Sequence, residues 1–211
     1  MSNTEIVNVS ELARLARAQS AHRSRIMIGI VGEPGAGKST VAHALTDALS
    51  PDAALVPMDG FHLSNHVLES LAVRDRKGAP DTFDAAGFVA LLQRIRDQGD
   101  EVVYAPAFRR DIEEPIASSI PIRTETPIVI TEGNYLLLDQ GPWTSISTLL
   151  DTTWYLESDR ALRTQRLIAR HHEFGKTLAQ ATAWARGSDQ HNADIVASTR
   201  HRADRVFAIQ N

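Results

Sequence analysis

The sequence predicts an α/β protein: a mostly parallel β-sheet with helices on both faces, and a helical lid. Three observations predict it. Short, almost wholly apolar runs alternate along the chain with segments whose apolar residues recur at helical spacing, the pattern of strands buried on both faces and joined by crossover helices. A glycine-rich turn stands between the first of these runs and the helix after it. An arginine-rich helical stretch near the C-terminal third has the character of a lid.

The elements follow in order. Ser10 to Ala21 places Leu12, Leu15 and Ala16 at helical spacing with arginines between them, which reads as a short amphipathic helix, within residues 1–22, laid on the main body. A basic amphipathic helix also suits a membrane surface, but this stripe is short and holds little besides Leu and Ala. Arg25 to Val31 reads as a strand buried on both faces, Ser39 to Leu49 as a helix, and Ala53 to Val56 as the next strand. Asp84 to Asp97 carries Phe88, Leu91, Leu92 and Ile95 on one helical face, and Gly99 stops it. Glu101 to Tyr104 alternates weakly, as a strand would. Pro106 to Pro127 holds four prolines and little periodicity; it is either a surface loop or a flap on the substrate side. Thr126–Thr131 and Thr152–Leu156 are further apolar strands. Ser158 is placed to N-cap a helix running to about His172. Helical stretches at Lys176–Ala185 and Ser188–Thr199 lead to a last strand, Arg205–Ile209. The expected lid spans about 158–187 of a single domain covering 1–211, with no internal repeat.

Composition narrows the function. The 211 residues, 43% hydrophobic and 23% charged, suffice for a sizeable core and exclude a disordered or fibrous chain. A net charge of −4 with no run of five like charges argues against nucleic acid or an acidic membrane as the main partner. No cysteine is present, so disulfides, thiolate nucleophiles and thiolate metal sites are impossible. No apolar stretch approaches the ~18 residues of a membrane span, and the N-terminus lacks the apolar core of a signal peptide. A cytoplasmic protein acting on a small molecule is expected, with a homodimer as the assembly left open.

The strongest motif is Gly32, Glu33, Pro34, Gly35, Ala36, Gly37, Lys38, Ser39 and Thr40, which matches G-x-x-x-x-G-K-[ST] between a buried strand and a helix. Glycines let successive backbone N–H groups turn inward onto phosphate oxygens, and the helix N-terminus adds positive potential. Lys38 can reach the β- and γ-phosphates, and the Ser39 hydroxyl can ligate Mg²⁺. The fold is therefore expected to be the three-layer α/β/α fold of P-loop nucleotide-binding proteins, with ATP and Mg²⁺ as cofactors. Ligands of such sheets sit beyond the carboxyl ends of the strands. Asp59 lies there, after the strand that follows the loop helix, as a base for an attacking hydroxyl or as a turn cap before Gly60. Glu132 ends another buried strand and suits the Mg²⁺ shell, or caps locally, with Asn134 beside it. Arg163, Arg166 and Arg170 share one helical face, either a solvated basic face or a lid that lowers guanidinium groups onto the transferring phosphoryl. His171 and His172 are adjacent on a helix and do not make a metal site. Asp189 and Asn192, three apart, could touch nucleotide or lid or cap their helix.

Together GEPGAGKST, PMDGFHLSN, RKGAPDTFD, YAPAFRRDIEEPI, VITEGNYLLLDQGPW, RLIARHHEFGKT and the Asp189–Asn192 pair resemble the P-loop kinases that include pantothenate kinase, uridine kinase and phosphoribulokinase. Within them the chain is most similar to bacterial fructose transport system kinases and nucleoside-kinase-like proteins, over residues 10 to 209. The resemblance implies ATP-dependent phosphoryl transfer to a hydroxyl of a small metabolite, a sugar such as fructose. Asp59 matches the family's presumed base and Glu132 its glutamate on the Walker-B-like strand, while Arg166 and Arg170 fall among its lid arginines. Where many relatives have an aromatic residue, Asp and a basic residue, this chain has Phe108, Arg109 and Arg110, a charge reversal that could favour an anionic acceptor.

The expected acceptor pocket lies between segments 59–65, 77–83 and 104–110, with Asp59, His62, Tyr104, Arg109 and Asn134 facing the acceptor. His62 could instead merely pack beside Phe61. A nucleoside or pantothenate-type kinase is the rival in the same class. A regulatory ATP-binding protein without an acceptor is the rival from another class, which the acid at position 59 speaks against. The guanine motif N-K-x-D and the transporter motif L-S-G-G-Q are both absent.

Overall fold

The computed structural model describes residues 4–210. β1 (Thr4–Val7), α1 (Val9–Ser20), β2 (Ile26–Val31), α2 (Lys38–Leu49) and β3 (Ala53–Pro57) open the chain. A 3-10 turn (Met58–Phe61), α3 (Asn65–Ser70) and α4 (Ala85–Asp97) follow, then the strands β4 (Val102–Arg109), β5 (Glu114–Arg123) and β6 (Ile128–Gly133). The remainder is α5 (Ile146–Leu149), β7 (Thr152–Glu157), α6 (Arg160–Glu173), α7 (Leu178–Arg186), α8 (Ser188–Ser198) and β8 (Arg205–Ile209). Six strands make one sheet in the order β1-β8-β7-β2-β6-β3, with every pairing parallel.

Strand alternation divides the core into two layers. Met27 and Val31 of β2, Val56 of β3 and Val129 of β6 pack with Phe88, Leu92 and Ile95 of α4 and Ile146 of α5. Ile26, Ile28 and Ile30 of β2 and Ile128 and Ile130 of β6 face the other way, onto Leu12 and Ala16 of α1 and Leu45 and Leu49 of α2. All six residues of β2 and of β6 are buried, which is why both read as unbroken apolar runs. The register sets Val31 beside Gly133 and Pro57 beside Glu132. The carboxyl ends of β2, β6 and β3 therefore form one rim.

The expected α/β/α layering holds, and several local expectations are corrected. Asp159, not Ser158, caps α6, its carboxylate accepting from Leu162 N at 3.0 Å; a carboxylate there also meets the positive end of the helix dipole. Gln98, in left-handed conformation, ends α4 before Gly99 is reached. The strand expected at Glu101–Tyr104 continues to Arg109, and the proline-rich stretch after it is half of an antiparallel hairpin, β4–β5. β1, α3 and α5 are not among the expected elements. β1 is mostly exposed and pairs only with β8, from the opposite end of the chain, so no local pattern announces it.

Candidate active site

A cavity of about 550 Å³ opens above the rim, and the loop at residues 32–38, the 3-10 turn after β3, β6, the β4–β5 hairpin, α6 and α8 all contribute to its lining. The phosphate-loop turn is formed by Gly35 and Gly37, at φ +79° and +94°, a left-handed region that favours glycine. Gly35 is also pressed against α6: a Cβ there would stand 2.7 Å from the Arg163 carbonyl oxygen. Arg163 is buried, ion-paired with Glu33, and donates from Nη1 to the Pro34 carbonyl at 3.1 Å. The arginine face of α6 thus lies on the loop rather than in solvent. Arg166 reaches the Gly35 carbonyl at 3.5 Å while staying exposed, and Arg170 lines the cavity.

Lys38 is buried, and its Nζ donates to the Glu33 carbonyl at 3.1 Å and to Asn134 Oδ1 at 2.7 Å. Burial pushes its pKa down to about 8, against the opposing pull of Glu132 and Asp59. Ser39 Oγ donates to Glu132 Oε1 at 2.9 Å. Burial and the nearby Asp59 charge raise the Glu132 carboxyl above its ordinary range. The 3-10 turn after β3 carries Asp59 to the same floor. Gly60 lets the hairpin dock on that turn, since a Cβ at this position would meet the Pro106 carbonyl at 2.4 Å. Burial works to raise Asp59, but the cations around it, Arg110, Arg170 and Lys38, outweigh that, with His62 adding to them when protonated. The carboxyl is therefore held below its ordinary value. His62 itself is lowered, chiefly by burial, so near neutral pH the lasting contribution comes from the arginines and Lys38. Arg110 Nη2 sits 3.1 Å from Asp59 Oδ2, and Oδ1 of this cavity-lining residue has no hydrogen-bond partner among the described residues.

Residues 27–209 match the family model described as "Phosphoribulokinase / Uridine kinase family". The chain belongs to the phosphoribulokinase/uridine kinase family. It is 34% identical over 176 residues to the Schizosaccharomyces pombe protein "Putative uridine kinase C227.14", covering 79% of this chain and 75% of that one. It is 31% identical over 212 residues to YggC of Escherichia coli K12, covering 97% and 87%. Among solved structures it is similar to a "putative fructose transport system kinase" from Silicibacter sp. TM1040, with a TM-score of 0.84 and 34% identity over 97% of this chain and all of that one. YFH7 of Saccharomyces cerevisiae, 20% identical with a TM-score of 0.83, shares the fold.

Within this kinase family member, the structure brings Lys38, Ser39, Asp59, His62, Glu132, Asn134 and Arg170 to one cavity. Two expected acceptor residues are not among them. Tyr104 is exposed on the outer part of β4. Arg109 is exposed and holds Asp111, from Nε to Oδ1 at 2.8 Å. The residue that reaches Asp59 is Arg110. The physical reason lies in β4, where Val103 and Ala105 are buried and strict alternation would send Arg109 inward. The pairing with β5 shifts between Ala105 and Ala107, and beyond that irregularity Phe108 and Arg110 face the cavity instead. The Arg163–Glu33 clamp also escaped the sequence reading, although the three-residue spacing from Arg166 placed Arg163 on the right face.

Proposed function

We propose that this kinase transfers the γ-phosphoryl of ATP to an alcohol group of a small metabolite in the cytoplasm, with a sugar such as fructose as acceptor. One observation carries this reading: the Asp59 carboxylate shares a floor with Lys38 and Ser39, so a hydroxyl hydrogen-bonded to Oδ1 would lie beside the phosphates held by the loop. Phosphoryl transfer asks mainly for positioning and charge stabilisation. Asp59 is a weak base in the ground state, because its neighbours hold it ionised. Its part is to orient the hydroxyl and accept the proton late, as the oxygen gains bond order to phosphorus and grows acidic. Lys38 and Arg170 meet the charge on the phosphoryl oxygens, and Arg166 stands over the loop.

The donor set at the loop suits Mg²⁺. Ser39 and Glu132 present two hard oxygens 2.9 Å apart. Mg²⁺ keeps several waters and takes few protein ligands, with substrate phosphate completing its shell. Bound there, Mg²⁺ supplies neutralisation of phosphate charge. No helix among the described residues is long and apolar enough to cross a membrane.

The test is ADP release from Mg-ATP, with the product mass measured, for D-fructose, uridine and pantothenate as acceptors. Release that depends on an acceptor, with the acceptor gaining one phosphoryl group, is the expected result. Nucleotide binding without acceptor-dependent release would favour a regulatory ATP-binding protein instead.

A further inference from the structure

Asp189 and Asn192 of α8 take no part in the phosphate chemistry described above. Both are buried, at 8% and 3% exposure, yet both line the cavity. Asp189 Oδ2 accepts a hydrogen bond from His171 Nε2 at 2.7 Å, which leaves Oδ1 without that partner. The Asn192 amide makes no hydrogen bond to another described residue. Its Nδ2 lies 3.8 Å from the position a Cβ would take on Gly78, in the segment that borders the acceptor end. An amide carries two donor hydrogens and two acceptor lone pairs, and neither polar atom of Asn192 is sealed from solvent, so the amide opens on the cavity it lines. A side chain held this way, facing a cavity, is built to meet a ligand. Trp184, its ring centroid 6.2 Å from that of His171, and Phe174 add aromatic surface to the same cavity.

Charge indicates the class of ligand. The cations lining this end already have partners: Arg74 pairs with Glu69, Lys77 Nζ donates to Asn65 Oδ1 at 2.8 Å, Arg110 holds Asp59, and Lys176 lies over the Trp184 ring at 4.7 Å. Arg170 has no ion pair among the described residues, but its charge is already shared among Asp59, Asp189 and Glu113. Asp75, Glu113 and Asp189 place three carboxylates in the lining. An acceptor bearing a carboxylate or phosphate would face those acids with only Arg170, which Asp59, Asp189 and Glu113 already share, to offset them. Hydroxyl groups, by contrast, can donate to Asp189 and both donate to and accept from Asn192.

We propose that His171, Asp189 and Asn192 form a hydrogen-bonding subsite that selects a neutral, polyhydroxylated acceptor. The proposal rests on the reading of the chain as a kinase of alcohols. Its test uses four probes on the full chain: D-fructose, uridine, D-gluconate and fructose 6-phosphate. The first two separate a free sugar from a nucleoside, and the last two add a carboxylate or a phosphate to a similar carbon skeleton. Asn192→Ala and Asp189→Asn are compared with the parent, and the Mg-ATP thermal shift of each variant reports folding and nucleotide binding. A neutral probe should be phosphorylated in preference to both anionic ones. Each variant should raise KM for that neutral probe by roughly 10- to 100-fold, the worth of a buried hydrogen bond to a charged or amide group, while kcat stays within about threefold. Preference for D-gluconate or fructose 6-phosphate overturns the proposal, as does a fall in kcat at constant KM.

Binding is measured separately, by titration of the same probes in the presence of Mg²⁺ and a non-hydrolysable ATP analogue. Binding of a neutral probe that weakens in both variants, without any transfer, would sink the kinase reading and leave the subsite standing. Failure of both neutral probes to bind would sink the subsite even if some other alcohol proved to be phosphorylated.

Discussion

The two ends of the cavity are built from different material. At the phosphate end, nine consecutive residues supply the loop, largely through backbone groups, and a buried ion pair fastens that loop to α6. At the acceptor end, side chains arrive from the turn after β3, the segment before α4, the β4–β5 hairpin, α6, α7 and α8. Triphosphate is the same in every turnover, so a fixed array of N–H groups serves it well. An acceptor must be told from other metabolites, and that requires side chains whose identity can vary without disturbing the sheet. The difference teaches that a fixed backbone loop and a set of variable side chains sit on separable parts of this fold.

Breaking the junction between the ends should give the largest effect. Asp59→Asn keeps the shape and removes the proton acceptor. It should lower kcat for an identified acceptor by ~10²–10⁴-fold while leaving the Mg-ATP thermal shift nearly unchanged. Unchanged turnover would reduce Asp59 to a turn residue.

The fastening of the phosphate loop comes next. The Arg163 side chain is 4% exposed and Glu33 20%, so Arg163→Met strands a carboxylate in a largely buried place. A loss of about 3 kcal/mol is expected, at the lower end for broken buried pairs, read from the denaturant midpoint. Arg163 Nε is itself buried without a partner, so the pair is imperfectly satisfied. The double variant Glu33→Gln, Arg163→Met should therefore recover part of the loss. If the double variant is as unstable as the sum of the single ones, the two side chains do not act as a pair.

A smaller effect separates charge from shape at the same end. Lys38 has its pKa pushed down to about 8 by burial, and phosphate anions bound beside it must raise that value. Below pH 8 the ammonium is already formed and this group makes binding independent of pH. Above pH 8 the free protein must take up a proton to bind, so Mg-ATP affinity should fall, by at most about tenfold per pH unit. Calorimetry in buffers of different ionisation enthalpy checks this as proton uptake near pH 9. Lys38→Arg should abolish the pH dependence. A flat profile for the parent chain would mean that Lys38 is fully charged before nucleotide arrives.

The same contrast governs what could be read in the sequence. The β2–loop–α2 unit was legible because its signals are consecutive: an apolar run, a glycine turn, a helix. Asp59 and Glu132 were legible because each sits at the end of a strand. The β4–β5 hairpin was not, since Pro115 and Pro121 suggest a loop. They are tolerated because, among the described residues, β5 pairs with β4 alone, and an edge strand accepts proline where a central strand does not. β1 depends on β8, some two hundred residues away in the chain. The Asp189 partner of His171 and the place of Asn192 at the cavity likewise follow from how α6 and α8 meet, which no spacing within one helix reports.

Arg109 and Arg110 put the contrast in its smallest form, because they are adjacent, alike in charge and different in place. Arg109 is exposed and pairs with Asp111, two residues away and also exposed; such pairs contribute little to anything beyond themselves. Arg109→Ala should leave KM for a neutral or an anionic acceptor within about twofold of the parent. Arg110 is one of the charges that hold Asp59 below its ordinary value. Without it, burial acts on the Asp59 carboxyl with less opposition, and the pKa rises. A base must be ionised to accept its proton, so the acid limb of kcat/KM should move to higher pH in Arg110→Ala and stay in place in Arg109→Ala. Steady-state profiles of the two variants on one acceptor, from pH 5 to 8, make the comparison. A larger displacement for Arg109→Ala than for Arg110→Ala would show that the hairpin turns its other face to the cavity in solution. It would also return an anionic acceptor to consideration, because a free guanidinium would then stand at the acceptor end.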